Sequence, residues 1–280
     1  MIGLFHPGEM GAALASALRD RGRDVLWAAA GRGPETKARA ERAGLVDVGS
    51  PEELAQRSGL ILSVCPPHAA VDVARSVGRY DGVYVDMNAI APATAREIAR
   101  LVEAGGARYV DGAIIGPPPR AAGTTRLYLS GREAEVVAAV FAETIVATRV
   151  VSDGPGAASA VKMAYAACTK GSAALLLAAR ALARSEAVED VLLDEWAESE
   201  PGLAEESVRA ARSASSKGWR WAGEMREIAA AFASADLPAG FHEAAASIFE
   251  RSPGPDGDET DAVTLERVLA ALTATPRAER

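Results

Sequence analysis

Along the first 150 residues, short apolar runs rich in β-formers alternate with stretches whose apolar positions recur at helical spacing. The runs 2–5, 24–28, 60–64, 83–86, 108–111 and 125–130 predict strands, and 8–21, 34–43, 51–57, 69–77 and 92–104 predict helices between them. Several of these helices open with Pro in or near the first turn, where its missing N–H is not needed. Such alternation is that of a parallel sheet with crossover helices. After about Gly156 the pattern changes. One long Ala- and Leu-rich stretch, 157–184, carries only Gly171 as a strong breaker, and later segments keep the helical period. Breaks near Pro201, Pro238 and the 252–258 loop divide the second half into several helices, and the residues after Thr273 are expected to fray. The expected fold class is α/β: a doubly wound sheet over 1–153, then an all-α domain over 154–280.

The chemistry begins at the first turn. An apolar stub runs directly into His6-Pro7-Gly8-Glu9-Met10-Gly11 and then into a helix. A strand that turns on glycine into a helix directs free backbone N–H groups and the positive helix end at one spot, which suits a pyrophosphate. Gly8 and Gly11 fill the second and third positions of G-x-G-x-x-G, while His6 stands at the first. The first glycine eases the turn, the second lets backbone approach phosphate, and the third lets helix pack on strand. An ordinary strand-turn-helix would carry the same glycines. Repetition of the βα unit along the first half favours the nucleotide-binding, Rossmann reading, with 1–153 as the NAD(P)-binding domain.

Composition narrows the partners. Hydrophobic residues make up 49% of the 280 and charged ones 24%, a globular profile. A net charge of -8 with no basic stripe argues against nucleic acid, whose binding draws on Lys and Arg at phosphates. Cys65, Cys168 and the three histidines lack ligand spacing, so no metal site and no disulfide framework is expected. The apolar segment 163–183 is interrupted by Lys170 and Arg180, which argues against a membrane span and, with no leader pattern at the N-terminus, for a cytoplasmic location.

An NAD site usually ends its second strand with an acid for the ribose hydroxyls, and an NADP site carries Arg for the 2′-phosphate. Here the strand leads into Ala28-Ala29-Ala30-Gly31-Arg32, with Thr36 and Lys37 at the next helix start. The missing acid and the available arginine favour NADP(H), against the alternative that Arg32 is a solvated loop charge. The loops after later strands, Cys65-Pro66-Pro67-His68, Met87-Asn88 and Gly112 to Pro119, are candidates for the nicotinamide half, although rigid βα turns have the same composition. On a helix, Lys162, Tyr165 and Thr169 fall within about 60° of one another among Ala, Val and Met. Two readings fit this stripe: a polar edge meeting water, or a lysine facing a cleft between domains, where desolvation suits it to proton transfer.

The turn His6-Pro-Gly-Glu-Met-Gly11, the segment Gly156-Ala-Ala-Ser-Ala-Val-Lys162-Met and the helical second half resemble the β-hydroxyacid dehydrogenase and 6-phosphogluconate dehydrogenase superfamily. The second half, with Lys170-Gly171 and Trp219-Arg220-Trp221-Ala-Gly-Glu224-Met225, is similar to a branch whose C-terminal domain has no assigned function. The resemblance implies a dehydrogenase with Lys162 as general acid/base, a small-molecule substrate and a homodimer, with 154–280 as the substrate and dimerisation domain. Two departures stand out. Asn is common three or four residues after the lysine, where this chain has Tyr165 and Ala166. Tyr165 either bonds the reacting oxygen or packs. The family's Ser-Gly-Gly substrate loop is replaced by Ile115-Gly116-Pro117, which removes a hydroxyl and an N–H donor and argues against a simple 3-hydroxy acid. Further substrate candidates are Gly112, Thr169, Trp219, Glu224 and His242; Arg220 with Glu224 also suits an i,i+4 surface pair, the tryptophans suit core or dimer contacts better, and a lone helical histidine has many structural uses. The function expected is NADPH-dependent hydride transfer to or from a carbonyl or alcohol of a small polar substrate. The alternatives are an imine reductase on the same fold and a non-catalytic NADP-binding sensor.

Overall fold

The computed structural model describes residues 1–257 and 260–274; the expected fraying beyond Ala274 and Asp258 of the expected 252–258 loop lie outside the described residues. The chain runs β1 (Ile2–Phe5), α1 (Glu9–Arg19), β2 (Val25–Trp27), α2 (Pro34–Arg42), β3 (Val46–Asp47), α3 (Pro51–Arg57), β4 (Leu60–Ser63), a 3-10 turn (Pro67–Ala69), α4 (Ala70–Ser76), β5 (Val83–Asp86) and α5 (Pro92–Ala104). Then follow β6 (Arg108–Ile115), β7 (Arg126–Ser130), α6 (Ala134–Val140), β8 (Ala147–Ser152), α7 (Ala157–Ser185), α8 (Glu189–Ser199), α9 (Leu203–Ala233), α10 (Gly240–Arg251) and α11 (Asp261–Thr273).

Local chemistry explains several boundaries. Ser50 Oγ accepts the Glu53 N–H at 3.2 Å and Pro51 occupies the first turn of α3, so the start of that helix is capped by its own sequence. Gly31 adopts φ +71° in the bend after β2, a conformation that costs glycine little.

The strands form one sheet in the order β3-β2-β1-β4-β5-β6-β7-β8, parallel except for the antiparallel β6–β7 pair. Period-2 alternation buries both faces. Ile2, Leu4, Leu62, Val85 and Val110 pack with Leu14 and Leu18 of α1 and Val137 of α6 on one side. Ile61, Tyr84 and Tyr109 pack with Leu54 of α3, Val73 of α4 and Ile98 of α5 on the other. The strand order reverses direction between β1 and β4, and in such sheets ligands bind beyond the carboxyl ends of the strands at that point.

One expectation needs correction. The strand at 108–111 continues to Ile115, so Gly112 and Ile115 lie within β6 instead of in a loop. Antiparallel pairing with β7 extends to Ile115↔Arg126, and burial of the apolar Ala113-Ile114-Ile115 sustains the strand past its glycine. A Cβ on Gly112 would come within 2.9 Å of Met87 Cγ and 3.0 Å of the Asp86 carbonyl oxygen, so this close pairing needs a glycine. The chain divides into two compact units, Met1–Met163 and Ala164–Arg280, and the division falls inside α7. The first turns of α7 are bonded to the sheet, as described below. In the second unit, α9 packs against α8, α10 and α11. Helix α7 is long and apolar enough to cross a membrane by length and composition, and half of its most apolar window is buried.

Candidate functional site

The glycine turn lies where β1 hands over to α1. His6, at the first glycine position, takes φ +63°, so the left-handed turn is kept by a histidine. Gly8 N donates to the His6 carbonyl at 2.7 Å, and Arg39 Nη1 from α2 donates to the Pro7 carbonyl at 3.3 Å. Gly11 is required by space, since its Cβ would stand 2.8 Å from the His6 carbonyl oxygen. Glu9 and Met10 form the first turn of α1, with Met10 packed against the sheet core. Gly8 offers no side-chain cap to the helix, and a Cβ built on it meets no atom within 4 Å. An uncapped helix start facing open space fits a phosphate.

Beside the turn, Arg32 N donates to the Ala29 carbonyl at 3.1 Å. The Arg32 side chain is half-buried, and Thr36 stands in the first turns of α2. The structure brings Arg32 near His6: burial first, and then the Arg32 charge, holds the His6 imidazole down at about 4. His6 Nδ1 is buried without a partner. Asp47 of β3, opposite Trp27, does not fill the missing-acid role freely, because its Oδ1 accepts the N–H groups of Ala29 (3.1 Å) and Gly49 (2.8 Å).

Across the reversal, the loop after β4 is tied to the loop after β5. Asn88 is buried, and its Oδ1 accepts Cys65 N–H at 2.6 Å while its Nδ2 donates to Ser63 Oγ at 3.2 Å. Asn88 thus shapes the path of Cys65-Pro66-Pro67 with the polar atoms a ligand would otherwise meet. Burial pushes the Cys65 thiol up to about 12, so it is no thiolate nucleophile at neutral pH.

At the next strands lies a group the sequence reasoning missed. Asp111 Oδ2 accepts Ser130 Oγ (3.0 Å), Gly156 N–H (2.9 Å) and Ser159 N–H (3.0 Å), and its Oδ1 accepts Ser159 Oγ at 2.6 Å. Ala158 N–H donates to Ser130 Oγ at 3.0 Å. One buried carboxylate therefore caps α7 and fastens it to β6 and β7. Lys162, half-buried, follows Ser159 by one turn on the same helix face. Asp86, the register partner of Asp111, is fully buried and its carboxyl stands at about 7; burial raises it most and Asp111 adds to that, while the Asn88 N–H and the Lys162 charge oppose. A signal was available. Tyr84-Val85-Asp86 and Tyr109-Val110-Asp111 repeat one tripeptide, and the repeats lie in register on adjacent strands.

The substrate candidates of β6 end differently from a carboxylate cradle. Ile115 is buried, and Gly116 at φ +119° presses against the Thr124 carbonyl, 2.2 Å from where a Cβ would be. In the second unit, Tyr165 is 50% exposed and its carbonyl accepts Thr169 Oγ1 at 3.1 Å. Glu224 pairs with Lys170 and, at 3.7 Å, with Arg220 four residues earlier. Lys170 Nζ also lies 5.7 Å from the centre of the Trp221 ring. Trp219 is 78% exposed. His242 is buried against Phe232 and Phe241 at ring separations of 4.2 and 5.2 Å, an aromatic packing position. Among the described residues no cluster of His, Cys, Asp and Glu could hold a metal ion.

Residues 1–151 match the NAD binding domain of 6-phosphogluconate dehydrogenase, and residues 183–252 match a domain of unknown function, DUF1932. A Methanothermus fervidus protein described as an uncharacterized 28.5 kDa protein in the 7S RNA 5′ region is 30% identical over 200 residues, 71% of this chain and 77% of its own. The mitochondrial 3-hydroxyisobutyrate dehydrogenase of Drosophila melanogaster is 29% identical over 140 residues, 48% of this chain and 43% of its own. The solved structure of the conserved protein MTH1747, of unknown function and described as similar to 3-hydroxyacid dehydrogenases, superposes with a TM-score of 0.71 at 29% identity, covering 90% of this chain and 97% of that one. With its glycine turn, its strand order and these matches, the chain belongs to the 6-phosphogluconate dehydrogenase NAD-binding family of the 3-hydroxyacid dehydrogenase superfamily, an NAD(P)-binding, dehydrogenase-like fold.

Proposed function

We propose that this protein is an NADP(H)-dependent oxidoreductase acting between a carbonyl and an alcohol on a small polar substrate, with Lys162 as general acid and base. The observation that carries the reading is the anchoring of α7. Asp111, on β6, holds Gly156 and Ser159 at the start of the helix, and Lys162 follows Ser159 by one turn on the same helix face. When bound, the nicotinamide would supply or accept the hydride. Lys162 would give its proton to the nascent alkoxide in reduction and take it back in oxidation. The turn from His6 to Gly11 would hold the pyrophosphate, with Arg32 gripping the 2′-phosphate and Thr36 assisting at the start of α2. An aliphatic Ile115 and the Pro after Gly116 offer a substrate carboxylate no donor, so the substrate's polar groups are other than a simple 3-hydroxy acid's. The protein is proposed to work as a homodimer.

The test is twofold. NADPH oxidation is followed against a panel of aldehydes, ketones and imines with the wild type and Lys162→Met; turnover of a carbonyl that falls at least about 100-fold in the variant supports the reading. Turnover of imines alone, or tight NADPH binding with no turnover of any class, overturns it. In parallel, Arg32→Ala is titrated with both coenzymes, and an equal loss of NADPH and NADH affinity removes the NADP assignment.

A further inference from the structure

Two carboxyl groups stand side by side on adjacent strands, and their surroundings differ sharply. Asp86 and Asp111 are register partners of β5 and β6, and both are buried. Asp111 receives four hydrogen bonds, all as acceptor, from Ser130, Gly156 and Ser159. That is the donor set of an anion. Asp86 accepts Asn88 N–H at Oδ1, 2.9 Å, while its Oδ2 is shut away from solvent without a hydrogen-bond partner. An orphaned carboxyl oxygen in a fully buried position is costly to keep unless it serves something nearby. The groups whose charges couple to Asp86 are Cys65 after β4, Tyr84 on its own strand, Tyr109 and Asp111 on β6, and Lys162 on α7. Asp111 drives Asp86 toward its neutral form, and the Lys162 cation draws it toward the ionised form.

We propose that Asp86 is a positioning residue for Lys162, a solvent-excluded carboxyl whose charge sets how tightly the neighbouring amine holds its proton. The geometry supports this from two sides. Asp111 is committed to the start of α7 and cannot serve Lys162 without releasing the helix. Asp86, one strand over and in register with Asp111, has a buried oxygen without a hydrogen-bond partner, while Lys162 stands one turn past the Ser159 that Asp111 holds. An ionised Asp86 favours the ammonium form and so keeps the acid loaded; a neutral Asp86 releases that hold. The assignment deepens the reading of Lys162 as acid and base and rests on it for its catalytic meaning, but the electrostatic link can be measured without any substrate.

The chain has only four lysines, so a spectrum of protein labelled at lysine 13Cε is simple to assign with Lys162→Met as reference. The Lys162 titration is recorded in the wild type and in Asp86→Asn, which keeps the shape and the Oδ1 acceptor. The midpoint is expected to fall by about one pH unit in the variant, at the low end for an opposite charge close by. An unchanged midpoint in a folded variant overturns the proposal. The reciprocal measurement is the 13C titration of the Asp86 carboxyl in Lys162→Met, which should move upward by a similar amount because coupling is mutual. Should Asp86→Asn fail to fold, this second titration decides alone, and no movement overturns the proposal. If Lys162→Met keeps full turnover while the titrations remain linked, the acid/base role fails and the electrostatic link stands.

Discussion

At the scale of single residues, the two shifted groups near the sheet edge make opposite demands on pH. The folded-state value of His6 is lowered from 6.5 to about 4, so the unfolded chain takes up that proton first; its contribution to stability is complete above about pH 6.5 and is lost as pH falls toward 4. Asp86 is raised from 3.8 to about 7, so the folded chain holds that proton longer; its contribution is complete below about pH 4 and is lost as pH rises through 7. Urea midpoints between pH 4 and 8 should therefore lose their rising component in His6→Asn, which tolerates the same positive φ, and their falling component in Asp86→Asn. Asp111→Ala should cost on the order of 3–5 kcal/mol by denaturant unfolding, because it strands buried donors on Gly156 and Ser159. Sequence made the glycine turn visible, since its spacing is local. It hid the role of Asp111, whose partners lie as far as 48 residues away, one on the neighbouring strand and the others at the start of α7, and meet it only in the folded chain.

At the scale of elements, periodicity recovered β5, α3 and α5 to the residue because apolar alternation and an N-terminal proline agree there. It failed for β3, whose two residues are both exposed and carry no alternation, and for the far half of β6, where Gly112 interrupts the pattern and only pairing with β7 sustains the strand. Among the helices, α7 and α8 are joined by Arg180, which is buried and bonded to Glu189 and, at 2.9 Å, to Ser207 Oγ of α9. Glu189→Ala leaves that guanidinium without its anion and should destabilise the protein by about 3 kcal/mol. The readout is the urea midpoint, and a change under about 0.5 kcal/mol would show the pair to be dispensable. The sequence marks Arg180 only as an interruption of an apolar stretch, since an arginine there looks the same whether it snorkels to water or meets a buried partner.

For the whole molecule, coenzyme binding should appear as added thermal stability. At 100 times its Kd, NADPH should contribute about 2.7 kcal/mol and raise the Tm by several degrees. NADH at the same concentration should do less, and Arg32→Ala should erase the difference. Fold class and the order of its two halves were legible because each rests on patterns repeated along the chain. The side chains that would meet substrate were not, since Ile115, Trp219 and His242 differ in exposure from buried to open and sequence alone does not sort them.

Helix α7 belongs to both compact units, with the border between Met163 and Ala164 just past Lys162. A chain truncated at that border would leave its lysine on a terminal turn whose last carbonyls have lost their partners, and that turn would unwind. The amino-terminal half could then still grip a dinucleotide yet present no ordered amine. Any swapping of tail domains between relatives, by recombination or by gene fusion, would have to join them further along the rod or leave the proposed acid and base unanchored.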